Sequence, residues 1–185
     1  MPVKPLNIEG CWVFEPRIFN DERGYFFEWF QDSTFREQAR SDFQIAQANC
    51  SVSKAGVIRG IHVAKNPPGQ AKYVTCFSGS VFDVVIDLRP DSTTFGKWDS
   101  VVLKANEPKA VYIPSGIGHA FMALEDQTTF VYLCDQRYNP TNEFDINPKD
   151  PTINITWPSD LEHIFSSKDL EAPLLDTVIM KLISE

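Results

Sequence analysis

His62 and His119 are the imidazoles whose surroundings suit chemistry. His62 closes Arg59-Gly60-Ile61-His62 on a predicted strand that follows the turn at Gly56. His119 closes Pro114-Ser115-Gly116-Ile117-Gly118-His119, a P-x-G-x-x-H spacing at the start of another strand. His163 lies in an acidic C-terminal stretch and is assigned no role. An imidazole titrates near neutrality, so it can take and return a proton. Lys72 and Asp83 add a cation and a carboxylate. If Ser78-Gly79 is a two-residue hairpin loop, Lys72 faces Val85 and Asp83 faces Val74. Lys72 and Asp83 are then diagonal neighbours on a face shared with Val74, Cys76, Val81 and Val85, which reads as interior. A buried Lys–Asp pair is also compatible with a purely structural role. If the strand of His62 lines the same interior, base, cation and carboxylate converge as in an active site.

The elements that must hold these groups read as strands. Fourteen Phe, five Tyr, four Trp and 13 Pro accompany many Val and Ile, and turn signals recur at Asp21–Gly24, Lys54–Gly56, Asn66–Gly69, Ser78-Gly79 and Arg89–Asp91. Ten short strands at such spacing predict an all-β sandwich or barrel in one domain, residues 1–185. One helix is predicted early, where Thr34-Phe35-Arg36-Glu37 has the capping-box form and runs to Arg40; the tail from Asp169 to Glu185 is a second candidate. P-x-G-x-x-H is also the second-motif pattern of cupin barrels. Metal-binding cupins add H-x-H, but Ala64 stands where that second His would fall, and Lys72 would oppose a divalent ion. No metal is expected. Cys11, Cys50, Cys76 and Cys134 lack any C-x-x-C spacing and read as free thiols. Seventeen basic residues against 25 acidic ones give −8 with no basic cluster, which argues against a nucleic-acid partner. No apolar run nears the roughly 18 residues of a membrane span, and Met1-Pro2-Val3-Lys4 opens no signal peptide, so a cytoplasmic location is expected.

A longer ordered set of motifs resembles the dTDP-4-dehydrorhamnose 3,5-epimerase family. It runs through Asp21-x-Arg23-Gly24-x-Phe26-x-Glu28, Gln47-x-Asn49-x-Ser51-x-Ser53 and Gly56-Val57-x-Arg59-Gly60-x-His62. It continues through Pro67-Pro68-x-Gln70-x-Lys72, Val81-Phe82-Asp83-Val84, Pro114-x-Gly116-x-Gly118-His119, Tyr132 and Asp150-Pro151. The resemblance implies a cupin-like double-stranded β-helix, or jelly-roll barrel, that needs no cofactor. It also implies a homodimer with exchanged strands, acting on a dTDP-4-keto-6-deoxyglucose-type nucleotide sugar.

Residue by residue, the resemblance makes His62 the base that removes a C–H proton beside the 4-keto group. Asp150 becomes its dyad carboxylate, Lys72 held by Asp83 the cation for the enolate oxygen, and Tyr132 the acid for the opposite face. Arg23 and Arg59 become diphosphate contacts. Phe26, Glu28, Gln47, Asn49 and Tyr138 surround the nucleoside, some from a neighbouring subunit, and His119 lines the pocket. Many members read E-x-G-I-x-W-N-D-P where this chain has Glu143-Phe144-Asp145-Ile146-Asn147-Pro148-Lys149-Asp150-Pro151, and Y-K where it has Tyr132-Leu133. Pro67-Pro68-Gly69-Gln70-Ala71-Lys72-Tyr73 and Asn147-Pro148-Lys149-Asp150-Pro151 resemble the branch that makes deoxysugars for secondary metabolites, in which C3, C5 or both are inverted. A 3,4-ketoisomerase of the same sugar and a non-catalytic nucleotide-sugar-binding cupin are the alternatives.

Overall fold

The computed structural model describes residues 1–39 and 41–183. Thirteen strands among them form three antiparallel sheets. The first sheet has six strands in the order β1 (Val3–Pro5), β2 (Trp12–Phe14), β10 (Ala110–Ile113), β7 (Lys72–Ser78), β12 (Thr128–Cys134) and β5 (Gln47–Ser53). The second has five: β13 (Glu143–Asp145), β6 (Ile58–Ala64), β11 (Ile117–Ala123), β8 (Ser80–Asp87) and β9 (Trp98–Lys104). A separate hairpin joins β3 (Ile18–Asp21) to β4 (Gly24–Phe27) through the predicted turn. The all-β architecture expected from the strand spacing, and the cupin-like jelly-roll barrel implied by the resemblance, are the fold observed.

Both large sheets are covered on both faces. Between them, Val74, Cys76, Val111 and Phe130 meet Val81, Val85, Leu103 and Phe121. Outside the five-stranded sheet, Ile58, Ile61, Val84 and Met122 pack under Ile146, Ile153, Trp157, Leu175 and Val178 of the C-terminal segment. That segment carries α2 (Ser167–Glu171) and α3 (Leu175–Ile183) in place of one tail helix. Outside the six-stranded sheet, Tyr73, Tyr112 and Leu133 pack on Phe35 and Phe43. Phe35 is the buried residue of α1 (Asp32–Ala39). This helix starts two residues before the predicted Thr34 cap, and its predicted end at Arg40 lies outside the described residues. No helix among the described residues is long and apolar enough to cross a membrane.

One predicted pairing is corrected. β7 and β8 belong to different sheets, so Ser78-Gly79 carries the chain across the barrel and closes no hairpin. Lys72 pairs with Ile113 and Cys134, while Asp83 pairs with Phe121 and Val101. Both side chains still face the interior, because the face depends only on the two-residue alternation along each strand.

At the end of β8 a buried carboxylate organises the loop to β9. Asp87 accepts hydrogen bonds from Arg89 Nη2 at 2.7 Å and from Ser92 Oγ and Thr94 Oγ1 at 2.6 Å each. Burial alone would raise its pKa, but these donors outweigh it and hold the pKa at about 2. A depressed folded-state pKa stabilises the protein above the unfolded value near 4, and the gain is lost as pH falls through about 2. Asp87→Asn should therefore cost about 2–3 kcal/mol at neutral pH. In urea unfolding the gap to wild type should narrow as pH drops from about 4 toward 2; a pH-independent gap would refute this account.

Candidate active site

A bulge on β6 turns His62 into the barrel. Arg59 pairs with Phe121 and His62 with His119, so one extra residue is inserted on β6 between the two pairs. Gly60 sits there with φ +118°, and a Cβ on it would lie 2.6 Å from the Ala120 Cβ and from the His119 carbonyl oxygen. Before the bulge Ile58 faces the outer cluster; after it Ile61 and Val63 do so. Arg59 and His62 are left together on the cavity side.

The cavity has a volume of about 410 Å³ and is walled by both sheets. His62 and Asp145 come from the five-stranded sheet; Asn49, Lys72 and Tyr132 come from the six-stranded one. Gln47 lines it too, and its side chain accepts from the Tyr138 backbone N–H at 2.9 Å, placing Tyr138 at the rim. A deeper recess adds Arg59 and His119. Arg59 donates from Nε to Ser53 Oγ at 3.1 Å. Burial pushes the Lys72 ammonium pKa down, against the raising effect of Cys134, Glu143 and Asp83. Burial pushes the Tyr132 phenol up, which keeps it a neutral O–H donor.

Two expected pairs are replaced. Asp83 binds His119 Nε2 at 2.6 Å, and no ion pair joins it to Lys72 among the described residues. The hairpin that would have made them diagonal neighbours does not exist. Asp150 is not the partner of His62 either. Its Oδ1 accepts from the backbone N–H groups of Thr152 and Ile153 at 2.8 Å each, and its Oδ2 from that of Leu175 at 2.7 Å. His62 Nε2 instead lies 3.2 Å from Asp169 Oδ1 and 3.5 Å from Asp145 Oδ1. Asp169 stands in α2, whose N-cap Ser166 accepts from the Asp169 N–H. Burial would raise the Asp169 pKa, but hydrogen bonds with His62 and Ser166 and the nearby charges of His62 and Lys168 lower it. Asp169 entered the sequence reading only as the start of a tail helix. Ser166-x-x-Asp169 marks a helix start, but nothing local says that this helix docks beside β6.

His62, Asp145 and Asp169 could each offer one metal ligand, their atoms lying within 4.8 Å of one another. The Lys168 ammonium, 2.9 Å from Asp145 Oδ2, already supplies a cation to this cluster. An ammonium held that close opposes a divalent ion at the same carboxylate.

Arg23, Phe26 and Glu28 do not reach this cavity within the chain. The Arg23 side chain is 90% exposed and holds Asp21 at 2.6 Å at the hairpin tip. Phe26 is 65% exposed, and Glu28 lines a separate hollow with Arg17 and Phe19.

The family whose sequence profile matches, over residues 5–177, is described as dTDP-4-dehydrorhamnose 3,5-epimerase. The chain is 49% identical over 175 residues to a dTDP-4-dehydrorhamnose 3,5-epimerase of Mycolicibacterium smegmatis, covering 95% of this chain and 86% of the relative. It is 47% identical over 173 residues to a dTDP-4-dehydro-6-deoxyglucose 3-epimerase of Streptomyces bikiniensis, covering 94% and 88%. Its fold superposes on the solved rmlC epimerase of Mycobacterium tuberculosis with a TM-score of 0.95 and 46% identity, over 98% of this chain and 92% of that one. It superposes on ChmJ, a 3'-monoepimerase of Streptomyces bikiniensis solved with dTDP-quinovose, with a TM-score of 0.91 and 46% identity, over 96% and 89%.

The two aspartates are separable by experiment. Asp150→Ala strands three backbone donors, two of them buried, and should cost about 2–4 kcal/mol in equilibrium unfolding. Asp169→Asn keeps the side-chain shape and should stay within about 1 kcal/mol of wild type. Equal losses in both would refute this division of roles.

Proposed function

The chain belongs to the dTDP-4-dehydrorhamnose 3,5-epimerase family, and from that premise we propose that it epimerises a dTDP-4-keto-6-deoxyhexose at C3, C5 or both. The observation that carries the reading is the convergence of His62, Lys72 and Tyr132 on one cavity, with Asp169 against His62. In this reading the His62 Nε2–H donates to Asp169. That fixes the tautomer, stabilises the imidazolium once formed and leaves Nδ1 to take the acidic C–H proton beside the C4 ketone. Lys72 stabilises the enolate oxygen, where a fixed charge in a dry recess counts most. His119, held by Asp83, lines the deeper recess behind it.

Inversion requires a proton from the face opposite the base. His62 and Tyr132 stand on different sheets, so a sugar between them has the imidazole on one side and the phenol on the other. This favours epimerisation over a 3,4-ketoisomerase, which has no need of a donor across the ring. Arg59 serves the diphosphate, with Gln47, Asn49 and Tyr138 around the nucleoside.

Arg23, Phe26 and Glu28 belong to the same reading through a second subunit. The β3–β4 hairpin exposes Ile18, Phe19, Tyr25 and Phe26. Such an apolar ribbon in water calls for a cover, and a second copy of the chain meets that need. The protein should be a dimer by light scattering at micromolar concentration. Phe26→Asp should shift it toward monomer and raise KM; a fully active wild-type monomer would sink the shared site.

Incubation with dTDP-4-keto-6-deoxyglucose in heavy water, read by NMR at C3 and C5, tests the chemistry and identifies the carbon. His62→Asn should abolish both exchange and inversion. Tyr132→Phe should still exchange deuterium while inversion falls about 10²–10⁴-fold. Lys72→Met should slow both by about 10²–10³-fold. Equal loss of exchange and inversion in Tyr132→Phe would mean the two faces are wrongly assigned.

A further inference from the structure

His62 has two carboxylates at the same nitrogen. Besides Asp169 at 3.2 Å, Asp145 Oδ1 lies 3.5 Å from Nε2 because β13 pairs Asp145 directly opposite His62. Asp145 is itself bound by Lys168, whose Nζ lies 3.0 and 2.9 Å from its two oxygens. Lys168 precedes Asp169 on α2, so a single helical turn supplies both the dyad carboxylate and the cation that quiets the second one. We propose that Asp145 is a positioning residue for His62 and that Lys168 sets its strength, tuning how readily the imidazole gives up its proton.

The physical case is one of charge balance. Two unpaired carboxylates against one imidazole would favour the imidazolium, which cannot accept a proton from substrate. Pairing Asp145 with Lys168 leaves it as a weak anion that still fixes the ring between two acceptors. The other groups around His62 are Arg59 on its own strand, His119 with Asp83 from β11 and β8, Lys72 from β7, Tyr132 from β12 and Glu143 from β13. None of these is bound to His62 among the described residues, whereas Asp145 and Asp169 are within ion-pair distance. The Lys168 side chain is 65% exposed, so its effect is moderated by solvent.

The proposal rests on His62 being the base, and the test separates the two claims. The acid limb of the kcat–pH profile reports the proton that must leave the base. Asp145→Asn should move that limb to lower pH by about half to one unit, and Lys168→Met should move it to higher pH by about half a unit. In the Asp145→Asn background, Lys168→Met should have a clearly smaller effect, since the two act through each other. Lys168→Arg should restore the wild-type limb. The chain has three histidines, so the His62 ring proton, identified by its loss in His62→Asn, can be titrated by NMR without substrate. It should follow the same opposed shifts. Shifts in the same direction, or none, overturn the proposal while leaving His62 as the base. Retained activity in His62→Asn overturns the base assignment itself.

Discussion

One inserted residue on β6 decides whether His62 faces the interior of this barrel or its outer layer. Without the bulge, strict alternation would send Ile61 inward with Arg59 and turn His62 out with Ile58. With it, Ile61 is fully buried in the outer cluster and His62 faces the cavity. The bulge disturbs the ladder, yet the groups it frees are satisfied: Ile61 and Ile146 exchange N–H···O bonds at 3.1 and 3.0 Å. That exchange docks the end of β13, which brings Asp145 opposite His62. Gly60 is demanded at the bulge, because any side chain would run into Ala120 and the His119 carbonyl.

The second dependence runs through the C-terminal segment. Asp169 reaches His62 across a sequence separation of 107 residues only if α2 is pinned beside β6. Asp150 does much of the pinning, since it caps the first turn of its own loop and binds the N-terminus of α3. Asn147 adds a bond from its side chain to the Leu170 carbonyl at 2.7 Å, and its backbone N–H bonds the Pro173 carbonyl at 3.0 Å. The Asn-Pro-Lys-Asp-Pro stretch therefore acts on the chemistry from a distance. It carries the carboxylate that resembles a dyad member, but in the fold that carboxylate helps hold the one that contacts His62.

What was legible in the sequence follows from how local each property is. Strand faces follow a period of two, so the inward aim of Lys72, Val74, Asp83 and Val85 could be read without knowing the topology. The partner of each strand could not. A short Ser-Gly link fits a hairpin and a crossing between sheets equally well, and only the hairpin would make Lys72 and Asp83 diagonal neighbours. Lys72, Tyr132, Gln47, Asn49, Arg59 and His119 come together because strand residues keep their aim; His62 joins them through the bulge, and Tyr138 through a loop tied to Gln47. Asp169 was hidden because a helix start reveals nothing of where the helix docks. Arg23 and Phe26 sit on an exposed hairpin outside the lining of the cavity, a placement that their local sequence does not reveal.

The lost Lys72–Asp83 pair bears directly on the chemistry. A lysine ion-paired with a buried carboxylate offers an incoming oxyanion little net charge. Here Asp83 is engaged by His119, and the Lys72 ammonium stays buried with its pKa pushed down, an arrangement that costs folding energy. Asp83 Oδ2, buried without a hydrogen-bond partner among the described residues, is part of the same frustration. Fixed charges that are poorly satisfied in the free protein are the ones that gain most when a complementary charge forms beside them. On the proposed reading that charge is the enolate oxygen, so the desolvation that Lys72 suffers by burial is relieved at the transition state. On that same reading, the polar interior that weakens the fold is what would let a ketone's neighbouring carbon lose its proton to His62.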